Sequence, residues 1–250
     1  MRWTRARVQF GRRCELLGQY IPEYGDYRPV ARRVGTVRSE EPCMNRDEWF
    51  RHTDWSPAIE SAFFAKLARA RDKAQYLRIQ GGMLARVHPR VSLELLRRYF
   101  ELGEDFDIAQ AYCHRADAQL ALRDIEGALQ SYEAALQREE AFPRLLTEAY
   151  IELPLLIVHE KLSNRYEQAL ELLHKHRGRL MFPVDVFRWN GILAVLLSET
   201  GQPARAAEAA NEALKAAGLT HSGFSRHAKV GLVGPGNADL LKRVQAIAKS

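Results

Sequence analysis

The chain has 250 residues, of which 46% are apolar and 27% are charged, and its formal net charge is +6 at pH 7. This composition is typical of a protein with an ordinary hydrophobic core, and no apolar run approaches the ~20 residues of a membrane-spanning helix. With only three cysteines and no CxxC pair, the sequence favours a soluble protein of the reducing cytoplasm over a disulfide-stabilised exported one.

Residues 1–43 form an arginine-rich leader in which nine arginines face five acidic residues, so most of the net charge lies here. Glycines and prolines interrupt the segment, and no apolar stretch of the kind found in signal peptides follows the arginines. We expect an irregular, disordered extension that the fold does not need. A nucleic-acid adaptor that uses these arginines is an alternative, disfavoured because the charge is not concentrated on a face of a folded domain.

From Ser56 onward one helical segment follows another, with almost no alternation of β-branched residues, which predicts an all-α protein. Ser56 can cap the first helix and Pro57 suits its first position. The apolar stripe that begins there continues to residue 87. Periodicity leaves open whether residues 57–87 are one long helix or a hairpin that turns near Arg71 and Asp72.

The later helices are separated by clearer stop signals. Pro89 begins a short helix that ends before Gly103. Further helices are predicted at about 105–122, 124–140, 144–161, 165–178, 184–199 and 203–217. Because the links between them are short, consecutive helices are expected to be antiparallel.

Small residues recur at one position in the second helix of each pair. The segments "IEGALQSYEAAL", "YEQALELLHKH" and "QPARAAEAANEAL" place Ala128, Ala169 and Ala206 at equivalent sites, about 40 residues apart, and Leu95 takes the same place one repeat earlier. Such a period is typical of helical solenoids. A small residue at this site allows two antiparallel helices to approach closely.

Residues 111–143, "AYCHRADAQLALRDIEGALQSYEAALQREEAFP", resemble the tetratricopeptide repeat family. The matching positions are Tyr112, Ala116, Ala128, Tyr132 and Ala135. Three features depart from the pattern, since Arg115 stands where the family has leucine, Gln119 stands where it usually has an aromatic residue, and the closing proline, Pro143, arrives late. The resemblance extends over about residues 72–217, and we expect the repeat domain to occupy residues 44–217.

The resemblance implies a right-handed superhelix of antiparallel helix pairs, whose concave groove binds extended peptides or helices of other proteins. The apolar residues of the segment 237–250 predict a helix that caps the end of the solenoid. By analogy with the family, five side chains are expected to face this groove. They are Gln80, Gln110, Asp117, Lys161 and Arg188. Arg188 is expected to be a solvated side chain, so that its replacement would change binding without changing stability.

The connection at 218–236 is long in a chain whose other links are short, and such loops are often functional. It contains four polar or aromatic candidates for a small site, which are His221, Phe224, Arg226 and His227. A small-molecule sensor or an enzyme that uses this loop is therefore an alternative function. The favoured interpretation is a strap that packs on the last helices through Phe224 and Val230.

The geometry of a helix argues against a metal site at the histidines. His174 and His176 are the densest histidine pair, but residues two apart on a helix do not share a face. No metal site, cofactor or catalytic residue is expected. The sequence thus predicts a non-catalytic protein-interaction module with a protein or peptide partner, and leaves the partner's identity and the oligomeric state open.

Overall fold

The computed structural model describes residues 48–103, 106–224 and 227–249, and within these ranges it contains helices and no β-strand. The predicted all-α class is confirmed. The described helices, in chain order, are α1 (Pro57–Arg69), α2 (Lys73–Leu84), α3 (Pro89–Glu101), α4 (Ile108–Ala121), α5 (Ile125–Ala141), α6 (Ala149–His159), α7 (Tyr166–His176), α8 (Pro183–Glu199), α9 (Pro203–Ala217) and α10 (Ala238–Ile247). None of them is long and apolar enough to cross a bilayer. The leader at 1–43 lies outside the described residues.

Two side-chain caps decide how the first helical stretch is divided. The Ser56 hydroxyl accepts the amide hydrogen of Ile59 (3.3 Å) and Pro57 begins α1, as expected. The Asp72 carboxylate accepts the amide hydrogen of Gln75 (2.9 Å) and begins α2. Because this second cap satisfies the free amides of a new helix start, residues 57–84 form two helices, which is the hairpin alternative.

A third cap explains the glycine that precedes Ala128. The Asp124 carboxylate accepts the amide hydrogen of Gly127 (3.0 Å) at the start of α5. A Cβ atom at Gly127 would overlap this carboxylate and the side-chain amide of Gln119. Glycine is therefore retained, although alanine has the higher helix propensity, because it leaves room for the cap.

Helix contacts follow the order of the chain. The substantial contacts join consecutive helices or helices separated by one other, as in α2 with α4, α6 with α8 and α8 with α10. Two hydrophobic clusters result: one extends from α1 to α4 and contains Phe63 and Tyr99, and the other extends from α4 to α10 and contains Tyr132 and Phe187. Helix α4 contributes to both, through Ala111 to the first and Ala116 to the second.

The recurring small residues lie inside these clusters. Ala128, Ala169 and Ala206 are completely inaccessible to solvent, and Leu95 is 1% exposed. Their burial agrees with the close approach of paired helices that the repeat pattern predicts, because a larger side chain would require the partner helix to retreat.

Ala128→Leu should lower the free energy of unfolding by about 1–3 kcal/mol, because the added methylene groups have no free space in a packed core. Urea denaturation followed by circular dichroism measures the loss. Gln137→Leu is the matched control, since it adds the same side chain at an exposed position of the same helix. Equal stability of the two variants would contradict the assigned repeat register.

The C-terminal helix α10 packs on the last pair of helices. Val244 is fully buried and Leu240 is 7% exposed. The guanidinium of Arg243 donates hydrogen bonds to the Val158 carbonyl (3.0 Å) and to the Glu199 carboxylate (2.7 Å). Since Val158 belongs to α6 and Glu199 to α8, these two bonds attach α10 to both helices.

Candidate functional site

A row of polar side chains runs along the first helices of consecutive pairs. We call it the polar row. Its members are Arg86, just after α2, Asp117 of α4, Glu148 and Glu152 at the start of α6, Arg188 of α8, and Asn237, just before α10. Arg86 pairs with Asp117, and Arg188 bonds to Glu152 and Asn237. The charges of Asp117 and Arg86 also act on the pKa of Glu152, so the groups form one row of mixed charge.

At one end of the polar row, Asp117 lies between two partners. Its carboxylate is 3.7 Å from the guanidinium of Arg86 and accepts a hydrogen bond from the Tyr132 hydroxyl (3.3 Å). Burial raises the pKa of Asp117, and the charge of Arg86 opposes the rise. The Arg86 side chain is 81% exposed, so solvent weakens its attraction to the Asp117 carboxylate.

At the other end, Arg188 holds two elements together. Its Nη1 is 2.9 Å from the Glu152 carboxylate, and its Nε donates a hydrogen bond to the side-chain oxygen of Asn237 (2.8 Å). Burial raises the pKa of Glu152, and the ion pair with Arg188 lowers it in part. Arg188 thus joins α6, α8 and the turn before α10.

Glu148, the residue that precedes α6, lies one helical turn before Glu152. Burial raises its pKa first, and the carboxylates of Asp185 and Glu152 raise it further, while Arg188 opposes them. Asp185 itself accepts the amide hydrogens of Met181 (3.0 Å) and Phe182 (2.9 Å) at the start of α8. Around the middle of the polar row, three carboxylates, those of Glu148, Glu152 and Asp185, therefore face the single positive charge of Arg188.

Two of the predicted groove residues, Asp117 and Arg188, belong to the polar row, and Gln110 is partly exposed in the first turn of α4. Arg188 is not the solvated side chain that the sequence suggested, because it is bonded to Glu152 and Asn237. Its replacement will therefore change stability as well as any binding.

The prediction was wrong for Gln80, and for Lys161 the expected helical position was wrong. Gln80 is fully buried, and its amide group exchanges two hydrogen bonds with the backbone of His52 (2.8 and 2.9 Å). Helix α6 ends at His159, so Lys161 is an exposed residue of the following turn, where its backbone adopts a φ of 54°. Gln80 is therefore not available to line a surface with Asp117 and Arg188, and a role of Lys161 in binding stays a prediction.

Sequence reasoning missed Arg86, Glu148, Glu152 and Asn237. For Glu152 a signal was present, because it is the only carboxylate in the otherwise apolar segment "AYIELPLLIVH" of α6. A lone charge on such a helix needs a partner if it is buried. Its partner, Arg188, is 36 residues away, which is close to the repeat period.

The loop that follows α9 is held by its own backbone and by one aromatic contact. The Ser222 amide donates to the Ala228 carbonyl (2.7 Å), and the Gly223 amide donates to Nδ1 of His221 (2.9 Å). The Phe224 ring lies 5.4 Å from that of Phe182, which precedes α8. These contacts support the predicted strap rather than a site around His221.

The second expected anchor of the strap is replaced by a backbone bond. Val230 is 49% exposed and does not pack as expected. Instead the Val184 amide donates to the Gly231 carbonyl (2.8 Å), and Gly231 lies directly against the Phe182 ring. His227 is exposed, and Arg226, also predicted for this site, lies outside the described residues.

The buried thiol of Cys113 has the character of a core residue. Burial raises its pKa to about 12, and its side chain belongs to the larger hydrophobic cluster. A thiol in this state is not a nucleophile at neutral pH. Among the described residues, no three His, Cys, Asp or Glu side chains are placed to hold a metal ion.

Comparison of this chain with protein-family models, curated proteins and solved structures finds no match. The resemblance of residues 111–143 to a tetratricopeptide repeat therefore depends on those residues themselves.

Proposed function

We propose that this chain is a non-catalytic, cytoplasmic protein-interaction module of the tetratricopeptide type. In this proposal its helix pairs stack as a right-handed superhelix, with α10 as the capping helix, and the polar row lies on the concave face. Two findings support this arrangement: the substantial helix contacts join consecutive helices or helices separated by one other, as expected of a solenoid, and the recurring alanines are fully buried.

The observation that carries the proposal is the continuity of the polar row. A set of charged groups that spans α2, α4, α6 and α8 offers contacts to an elongated ligand rather than to a compact one. Asp117, Glu148 and Glu152 are partly desolvated, since burial raises the pKa of each. Charged groups in that state can form stronger hydrogen bonds with an incoming peptide than fully hydrated ones can.

Site-specific photo-crosslinking tests the proposal. A photoreactive phenylalanine analogue is placed at Arg86 or at Glu148, two exposed positions at separate points of the polar row. The control carries it at Arg205, which is exposed on the second helix of a pair. In cells that naturally contain the protein, we expect the same crosslinked partner from the first two positions and none from the third.

The outcome separates a binding face from a structural one. Crosslinks of equal yield at all three positions would mean that the polar row is not a preferred contact surface. If only Arg205 gives a product, the partner binds the opposite side of the helix pairs, and the row serves stability alone.

A further inference from the structure

A second surface lies between α3 and α4, away from the polar row. An open cavity of about 630 Å³ is lined from both helices. We call it the Arg115 groove, and its principal residues are Leu93, Arg97 and Phe100 of α3 with Ile108, Tyr112 and Arg115 of α4; Glu101, which pairs with Arg97, and Gly103 complete the lining. Each set has the spacing i, i+4, i+7, so each forms one stripe along its helix, about 10 Å long.

The floor of the groove is aromatic and carries a cation. The rings of Phe100 and Tyr112 are stacked with centroids 4.9 Å apart. The guanidinium of Arg115 lies 4.8 Å from the Tyr112 ring centroid and 5.1 Å from that of Phe100. These contacts hold the guanidinium over the rings, in the manner of a cation–π interaction.

A chain of hydrogen bonds through Ser131 of α5 to Gln119 of α4 fixes the position of the Arg115 side chain. Its Nε donates a hydrogen bond to the hydroxyl of Ser131 (2.9 Å), and that hydroxyl donates to the side-chain oxygen of Gln119 (2.5 Å). Ser131 is fully buried. Arg115 and Gln119, which both depart from the repeat pattern, are thus joined through one serine, and both terminal nitrogens of Arg115 are left for other contacts.

The charge of Arg115 is not compensated within the part of the chain that the structure describes. There it has no carboxylate within ion-pair distance, and burial lowers its pKa. Arg97, the other arginine of the groove, differs in this respect because it is bonded to Glu94 (2.8 Å) and to Glu101. A ligand that brings a carboxylate would therefore be held by Arg115 rather than by Arg97.

We propose that the Arg115 groove binds a segment of a partner protein in which an aspartate or glutamate side chain stands next to large apolar residues. The carboxylate pairs with the terminal nitrogens of Arg115, and the apolar side chains cover Leu93, Phe100 and Ile108. Leu102 and Phe106, which are 55% and 71% exposed in the connection between the two helices, enlarge the apolar surface nearby. Charge complementarity and an apolar floor together define this ligand.

This surface is distinct from the polar row. Arg115 and Asp117 are both on α4, but two residues correspond to a rotation of about 200° around a helix, so their side chains leave on opposite sides. The two proposals can therefore fail independently, and a ligand at one surface does not block the other.

Nuclear magnetic resonance titration of the full chain tests the inference with two capped tripeptides, acetyl-Leu-Glu-Leu-amide and acetyl-Leu-Gln-Leu-amide. The glutamate peptide should shift the backbone amide signals of the groove residues, with a dissociation constant in the millimolar range expected of so small a ligand. The glutamine peptide should bind about tenfold more weakly, since it lacks the charge that pairs with Arg115.

Arg115→Gln should remove the preference for the glutamate peptide, because glutamine can still bond to Ser131 but carries no charge. Arg144→Gln, which neutralises an exposed arginine outside the groove, is the control and should keep the preference. Equal binding of the two peptides to the wild-type chain would overturn the inference without any variant. Concentration-dependent shifts of the same signals in the absence of peptide would instead assign the groove to a second copy of this chain.

Discussion

Arg188→Glu should lower the free energy of unfolding by about 3 kcal/mol. The substitution removes the charge that pairs with Glu152 and places a second carboxylate beside it, in a region where burial already raises the pKa of Glu152. It also breaks the hydrogen bond from Arg188 to Asn237, which holds the turn before α10. Urea denaturation followed by circular dichroism measures the loss.

The control for this prediction is Arg205→Glu, an equal change of charge at an exposed position of the next helix, where we expect a change below about 0.5 kcal/mol. Adding Glu152→Gln to Arg188→Glu removes the repulsion between the carboxylates and should recover part of the stability. An Arg188→Glu variant as stable as the wild type would mean that the ion pair contributes nothing to the fold.

The helices were predictable because their signals are local. Ser56 and Pro57 begin α1 within a span of four residues, and the "LRD" link separates α4 from α5 as expected. The choice between one and two helices over residues 57–84 depended on a single cap at Asp72. Hydrophobic periodicity continues across such a break, which is why the stripe alone left both alternatives open.

The surface was harder to predict because it depends on contacts between distant residues. Gln80 occupies a helical position that looks exposed in the sequence, but the backbone of His52 covers it, 28 residues earlier. Lys161 was misplaced by an error of two residues in the end of α6, an ordinary uncertainty for a helix terminus. Asp117 and Arg188 lie on helices that were placed correctly, and their role in a groove stays a prediction, whereas the pairing of Arg188 required the structure.

Gly191→Leu is expected to lower the free energy of unfolding by about 3 kcal/mol or more, because the added side chain overpacks a buried contact. Gly191 is in α8, and a Cβ atom there would already lie 3.1 Å from Cδ2 of Leu240 and 3.2 Å from Cγ2 of Val244. The rest of a leucine side chain has no space unless α10 moves away. Exposing Leu240 and Val244 then costs roughly 1.5–3 kcal/mol for each side chain.

The loss should be local to the end of the chain. In Gly191→Leu, hydrogen exchange of the amides of α10 should become faster, while exchange in α4 and α5 stays close to that of the wild type. Ala204→Leu is the matched control, because it adds a leucine to an exposed position of the neighbouring helix. Fast exchange confined to α8 would show instead that the added side chain distorts its own helix.

A second substitution separates overcrowding from other effects of losing the glycine. Leu240→Ala alone should destabilise the protein, because it leaves a cavity beside Gly191. If the two side chains compete for the same space, the double variant Gly191→Leu/Leu240→Ala should be more stable than the sum of the single losses predicts, by about 1 kcal/mol or more. Strict additivity would mean that Gly191 and Leu240 do not determine each other's packing, and the close approach of α8 and α10 would then need another cause.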